Sequence, residues 1–151
     1  MKRISVALVA ALLGFAALPT VAQVEVKSAW SRATVRGQKT SGAYMQLKSA
    51  QGATLVGAES PAARIVELHE MRMDGNVMRM RAVPRLELPA GKVIELKPGG
   101  FHFMLIDLKQ PLGKGGSIPI TLKIEDRDNT INRVEVKSEV RDEPPRIGNQ
   151  H

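Results

Sequence analysis

Residues 63–83 read ARIVELHEMRMDGNVMRMRAV, two runs rich in alternating apolar and polar residues on either side of Asp74-Gly75. Such a pair between alternating segments is a strong local signal for a β-hairpin, because a tight type I′ turn needs positive φ at both central residues. With Asp74 and Gly75 at the centre, Met73 is expected to oppose Asn76, Met71 to oppose Met78, and His69 to oppose Met80. Side chains alternate with period two, so His69, Met71 and Met73 share one face and Val66 and Leu68 point to the other, the better candidate for the core. On the second strand the other face holds Val77, Arg79, Arg81 and Val83. A three-residue loop would instead place His69 and Met80 on unrelated faces.

The same short-strand pattern continues in both directions. VEVKSAW, AYMQLKS and ATLVGAES precede the hairpin, and KVIEL, FHFMLIDL, SIPITLKIE and RVEVKSEV follow it, punctuated by RGQKTSG, LPAG and KPGG. Ile118, Ile120, Leu122 and Ile124 share a face of SIPITLKIE, where Pro119 suggests a strand start or an edge. No stretch offers a long amphipathic helix; PAARIVEL has room for one turn. Seven to nine strands in about 120 residues, with turn signals between them, predict an all-β single domain, a β-sandwich or small Greek-key barrel.

The chain of 151 residues is long enough for one domain with its own core. Its first segment, MKRISVALVAALLGFAALPTVAQ, puts Lys2 and Arg3 before an apolar run from Ile4 to Ala17 and ends in small residues, the layout of a secretory signal peptide. Residues 1–22 are therefore expected to be removed, 23–140 to form the β domain and 141–151 a loose tail. The apolar run is shorter than the ~20 residues of a membrane-spanning helix, so an exported chain without membrane insertion is expected. There is no cysteine, hence no disulfide and no thiolate ligand or nucleophile. Without Lys2 and Arg3, 20 basic residues stand against 15 acidic ones, and the net charge falls from +7 to +5. The excess is scattered, as at Arg79, Arg81, Lys123 and Lys137, and Phe, Trp and Tyr total five. Nucleic-acid binding calls for clustered charge with stacking aromatics and is not expected.

A second chemical signal is His102 and Met104 in GGFHFMLIDL. Two residues apart on a strand, they point the same way roughly 6.5 Å apart along the backbone. Imidazole combined with thioether is a soft, neutral donor set that suits Cu(I), whereas zinc sites use Cys, His or carboxylate. A blue-copper electron-transfer centre needs a thiolate, which this chain lacks. The competing reading is structural: Met fills irregular cores well, and His102 between Phe101 and Phe103 has the surroundings of a hydrogen-bonded core histidine.

The spacing resembles that of the periplasmic copper chaperones called PCuAC. Their pattern is a His, ten residues, a Met, twenty-one residues, then His-x-Met; here His69, Met80 and His102-Phe103-Met104 fall on it without adjustment. The likeness extends through AWSRAT, GQKTSGAYM, VELHEM, DGNVMRMR, LPAGK, LKPGGFHFML and LKQPL. It implies a cupredoxin-like Greek-key fold and His69, Met80, His102 and Met104 as ligands for one Cu(I) per chain, with Cu(II) open as a second oxidation state. It further implies a periplasmic carrier delivering Cu(I) toward the dinuclear copper centre of cytochrome c oxidase, with an oxidase subunit or a Sco-type thiol protein as acceptor. Some relatives carry a His/Met-rich C-terminal extension; after the last strand this chain has only His151 and no Met. Met71, Met73 and Met78 lie outside the pattern, and Trp30 and Arg32 read as structural residues. A monomer is expected.

Three other functions compete, one of them a metal-free interaction module of the β-sandwich class with the methionine patch as a sticky surface. Copper sequestration without delivery would use the same ligands. A copper-dependent oxidoreductase would need an open coordination position and a substrate pocket, and the sequence supplies no matching base, nucleophile or substrate motif; a non-enzymatic role is expected.

Overall fold

A computed structural model of the chain describes residues 24–146. The expected signal segment 1–22, Gln23 and His151 lie outside the described residues. Ten strands follow one another: β1 (Val24–Arg32), β2 (Thr40–Ser49), β3 (Ala53–Glu59), β4 (Ala63–Asp74), β5 (Val77–Ala82), β6 (Leu86–Leu88), β7 (Val93–Leu96), β8 (Phe101–Leu108), β9 (Ser117–Glu125) and β10 (Ile131–Arg141). No helix occurs among the described residues, and none is long and apolar enough to cross a membrane. Nine strands are those the alternation marks out. The tenth, β6, has three residues between Pro84 and Pro89, too few to show a period.

The strands pair in the order β5-β4-β8-β2-β1-β10-β9-β3-β6, with β7 on β2. All pairs are antiparallel except β1 with β10. β3 and β4, consecutive in the chain but not hydrogen-bonded to each other, pack together, so the sheet folds over and its two halves enclose one core. This is the all-β, cupredoxin-like architecture expected. Phe103, Leu105, Met45, Leu47, Leu55, Ile120, Leu122 and Ile124 are almost wholly buried. Each such side chain contributes roughly 1.5–3 kcal/mol by leaving water.

Pro119 sits inside β9, an interior strand, yet the edge expectation holds locally. β3 ends at Glu59 opposite Thr121, and beyond it the Ser60 hydroxyl donates to the Pro119 carbonyl at 2.6 Å. A bulge in β1 matters more for the site. Between Lys27 and Trp30 two residues oppose one on β2, with Ser28 at φ 53°. Val24 and Val26 point inward before it. After it Ser31 takes the inward position, completely buried and bonded at 2.7 Å to the equally buried Ser138 hydroxyl. Trp30 is thereby turned to the outer face, opposite Tyr44.

Candidate metal centre

The hairpin register differs from the one expected. Asp74 opposes Val77, Met73 opposes Met78, Met71 opposes Met80 and His69 opposes Ala82. The central turn residues are thus Gly75 and Asn76. Gly75 has φ 62°, and Asn76 is not among the residues with positive φ, which is the requirement of a type II′ turn with Gly first rather than a type I′ turn on Asp-Gly. Asp74, freed from the turn centre, pairs with Arg79 at 2.9 Å. The slip amounts to two residues; one would have sent every side chain to the other face. His69, Met71, Met73, Met78 and Met80 therefore still share the outer face, while Leu68 enters the core and Val66 packs against it.

On its other side β4 pairs with β8, and there His69 stands directly opposite His102, with Glu67 opposite Met104. Inward-pointing Phe103 and Leu105 lock β8 into the core, which fixes His102 and Met104 on the outer face. The four residues of the spacing pattern thus lie on three adjacent strands with His69 in the middle. His102 is its direct partner, and Met80 and Met104 are its diagonal neighbours, about 7–8 Å away between backbones. Met80 and Met104 are not neighbours of each other; they flank His69 from opposite sides.

The two rings have centroids 6.1 Å apart, tilted by 58°. His102 is only 5% exposed, and its Nδ1 lies 3.0 Å from the Gly100 carbonyl oxygen. A carbonyl only accepts, so Nδ1 carries the proton and Nε2 keeps a free lone pair. His69 is held the other way round: Nε2 meets the Glu67 carboxylate at 2.9 Å, so Nε2–H donates and the lone pair is on Nδ1. That Nδ1 is buried and has no hydrogen-bond partner. A buried acceptor left unpaired costs about 1–3 kcal/mol, and a metal ion would relieve it. Donation of the second ring nitrogen to a carboxylate or a carbonyl is the arrangement that orients metal-bound imidazoles.

Among the described residues no three His, Asp or Glu side chains gather as a metal cage. The soft donors beside the two histidines are the methionine thioethers, and imidazole with thioether is a set that favours Cu(I).

The back of the site is aromatic. Tyr44 is 6.3 Å from His102 between ring centroids, and Trp30 is 4.6 Å from Tyr44. The Arg32 guanidinium lies 5.9 Å from the Trp30 ring centroid, within cation–π range. Tyr44 leans across Gly42, the partner of Met104 on β2; a Cβ there would come within 2.3 Å of the Tyr44 hydroxyl. The turn Lys97-Pro98-Gly99-Gly100, with Gly99 at φ 82°, aims the Gly100 carbonyl at His102.

Glu67, Gly42, Tyr44 and the Gly100 carbonyl are the residues that reading the sequence for ligands misses. Glu67 was within reach, being two positions before His69 and so on its face. Tyr44 becomes visible only once β1, β2 and β8 are aligned.

The model of the LpqE-like family, described as "Putative lipoprotein LpqE-like", matches residues 24–137. The "Putative lipoprotein Lxx21020" of Leifsonia xyli subsp. xyli (strain CTCB07) is 35% identical over 115 residues, 76% of this chain and 69% of its own length. Among solved structures, the copper-bound PCuAC domain from PmoF2 superposes with a TM-score of 0.64 at 22% identity, covering 83% of this chain and 97% of that domain, a likeness of fold. The apo form of DR1885 from Deinococcus radiodurans gives 0.61 at 30% identity over 95% of each chain. Its Cu(I) form gives 0.58 at 33% identity over 86% of this chain and 83% of its own. With the family model covering residues 24–137 and the Leifsonia relative 35% identical over 76% of the chain, the chain belongs to the LpqE-like family and is a PCuAC-family protein.

Proposed function

We propose that this chain is a periplasmic copper carrier, which holds one Cu(I) through His69, Met80, His102 and Met104 and passes it toward the dinuclear copper centre of cytochrome c oxidase. The observation that carries the reading is the pair of opposed imidazoles, each with one nitrogen tied to an acceptor and the other left free, His69 Nδ1 buried without a partner. The copper-bound PmoF2 domain and the Cu(I) form of DR1885 support copper as the ion. The signal-peptide layout of residues 1–22 and the lipoprotein names of the family and the Leifsonia relative support export.

All four ligands are neutral, so the site holds a soft monovalent ion without the thiolate of a fast electron carrier. An acceptor offering thiolate binds copper more strongly, and transfer to it runs downhill. Beyond Glu70, β4 has no strand beside it on the β8 side except the bond from the Met71 N–H to the Gly100 carbonyl. The hairpin tip is therefore free to curl over His102 and bring Met80 toward Met104. In this role the protein carries its cargo and catalyses nothing.

Titration with Cu(I) against a competing chelator is expected to give one equivalent in the native chain and none in His102→Ala or Met104→Ala. Unchanged stoichiometry in both variants would overturn the assignment. Delivery is separated from storage by mixing the loaded protein with a thiolate-bearing copper acceptor: loss of the ion to the acceptor supports delivery, and retention supports sequestration.

A further inference from the structure

Four of the chain's seven methionines stand on one face of the β4–β5 hairpin in two direct cross-strand pairs, Met71 with Met80 and Met73 with Met78. Only Met80 belongs to the site proposed above. Met73 is 58% exposed and Met78 47%, in contrast to Met45, which fills the core at 2%. Core filling therefore does not account for the outer rung. The hairpin's opposite face carries the charges: Asp74 with Arg79, and Glu70 with Arg81 at 3.8 Å. The strands thus hold an all-thioether face in water on one side and an ionic face on the other.

We infer that Met73 and Met78 form a second, outer station for a soft monovalent ion, which loads there and descends to the histidines by way of Met71 and Met80. The inference rests on the copper reading above. Directly opposite residues have Cβ atoms about 4.5–5.5 Å apart, and the flexible, polarizable methionine side chain lets two sulfurs close on one ion between them. The next rung lies roughly 6.5–7 Å further along the strands. It contains Met80, already a ligand of the inner site, and Met71, which is two positions from His69 and opposite Gly100, whose carbonyl fixes His102.

Each step inward is a ligand exchange: a bond from the ion to an outer thioether breaks as one to an inner thioether or imidazole forms. No electron or proton changes hands. Thioethers alone hold the ion less firmly than thioethers with imidazole, so the direction is set toward His69 and His102. An exposed, weak outer site at an edge strand is also where an acceptor or donor could reach the ion.

The test uses the full chain with ε-13C-methyl methionine, titrated with Ag(I), a redox-inert soft monovalent ion. The first equivalent is expected to shift the Met80 and Met104 methyl signals and the second those of Met73 and Met78. In Met73→Leu/Met78→Leu, which keeps the apolar bulk and removes only sulfur, the second equivalent is expected to be lost and the first retained. Met73 and Met78 signals unmoved through two equivalents, or a second equivalent persisting in the double variant, would overturn the outer station. Such an apolar surface would then serve docking alone. Failure of the inner site is seen separately, in Met80 and Met104 signals that ignore the first equivalent.

Discussion

His69 and His102 face each other across β4 and β8 with ring centroids 6.1 Å apart, and they are held by opposite nitrogens, Nε2 on the Glu67 carboxylate and Nδ1 on the Gly100 carbonyl. The two free lone pairs are thus different atoms of the two rings. Residues that only position the rings should therefore matter for ion binding.

Glu67 is the clearest case. Glu67→Ala removes the acceptor that orients His69 and is expected to lower Cu(I) affinity about 10–100-fold while stoichiometry stays at one. Glu67→Gln, whose amide oxygen still accepts from Nε2–H, is expected to recover most of that loss. Competition titrations on the two variants check this, and equal affinities in both would refute the positioning role.

Gly42→Ala is expected to displace Tyr44, since the new Cβ would lie 2.3 Å from the hydroxyl and 2.8 Å from the ring carbon that bears it. Overpacking of this kind costs about 1–3 kcal/mol. The shift should reach His102, on which Tyr44 rests. Denaturant unfolding followed through Trp30 fluorescence measures the first effect, and Cu(I) affinity measures the second.

The Ser31–Ser138 hydroxyl pair ties β1 to β10 where both residues are fully buried. Ser31→Ala leaves the Ser138 hydroxyl without its partner and is expected to destabilise the fold by about 1–3 kcal/mol. Ser31→Ala/Ser138→Ala should cost less than the two single changes added together. Additive losses would mean that the pair is not coupled.

Two carboxylates at opposite ends of β3 make stability depend on acid. Hydrogen bonds from Lys123 and Arg133 hold the Glu59 carboxyl below its ordinary value of 4.5, and Arg85 does the same for Glu125. Because the folded state lowers these values, the unfolded chain takes up protons first as the pH falls. The contribution is complete above 4.5 and is lost as the pH drops through the lowered values. Melting temperature should decline on that acid side, and less steeply in Glu59→Gln/Glu125→Gln. An identical slope in the double variant would contradict the assignment. Glu59 is well exposed and Glu125 partly so, so the effect is small and weakens with salt.

What could be read in the sequence follows the reach of local rules. Alternation reveals the strands because one face of each is buried, and it correctly sends Leu68 inward and His69 outward. It does not reveal β6, whose three residues lie between prolines, nor the bulge at Ser28 that turns Trp30 to the outer face. The turn chemistry of Asp74-Gly75-Asn76 admits two registers, and tertiary context selects the one centred on Gly75 and Asn76. The expectation that His69 opposes Met80 fails for that reason, although their shared face survives because the slip is even. The pairing of His69 with His102 depends on β4 meeting β8 across a long stretch of chain. Spacing alone could flag both residues but not oppose them.

The account's central claim is tested most directly by copper-edge X-ray absorption on the Cu(I)-loaded protein. It predicts a first shell containing both nitrogen and sulfur, from the paired imidazoles and the thioethers of Met80 and Met104. A first shell without sulfur would contradict it.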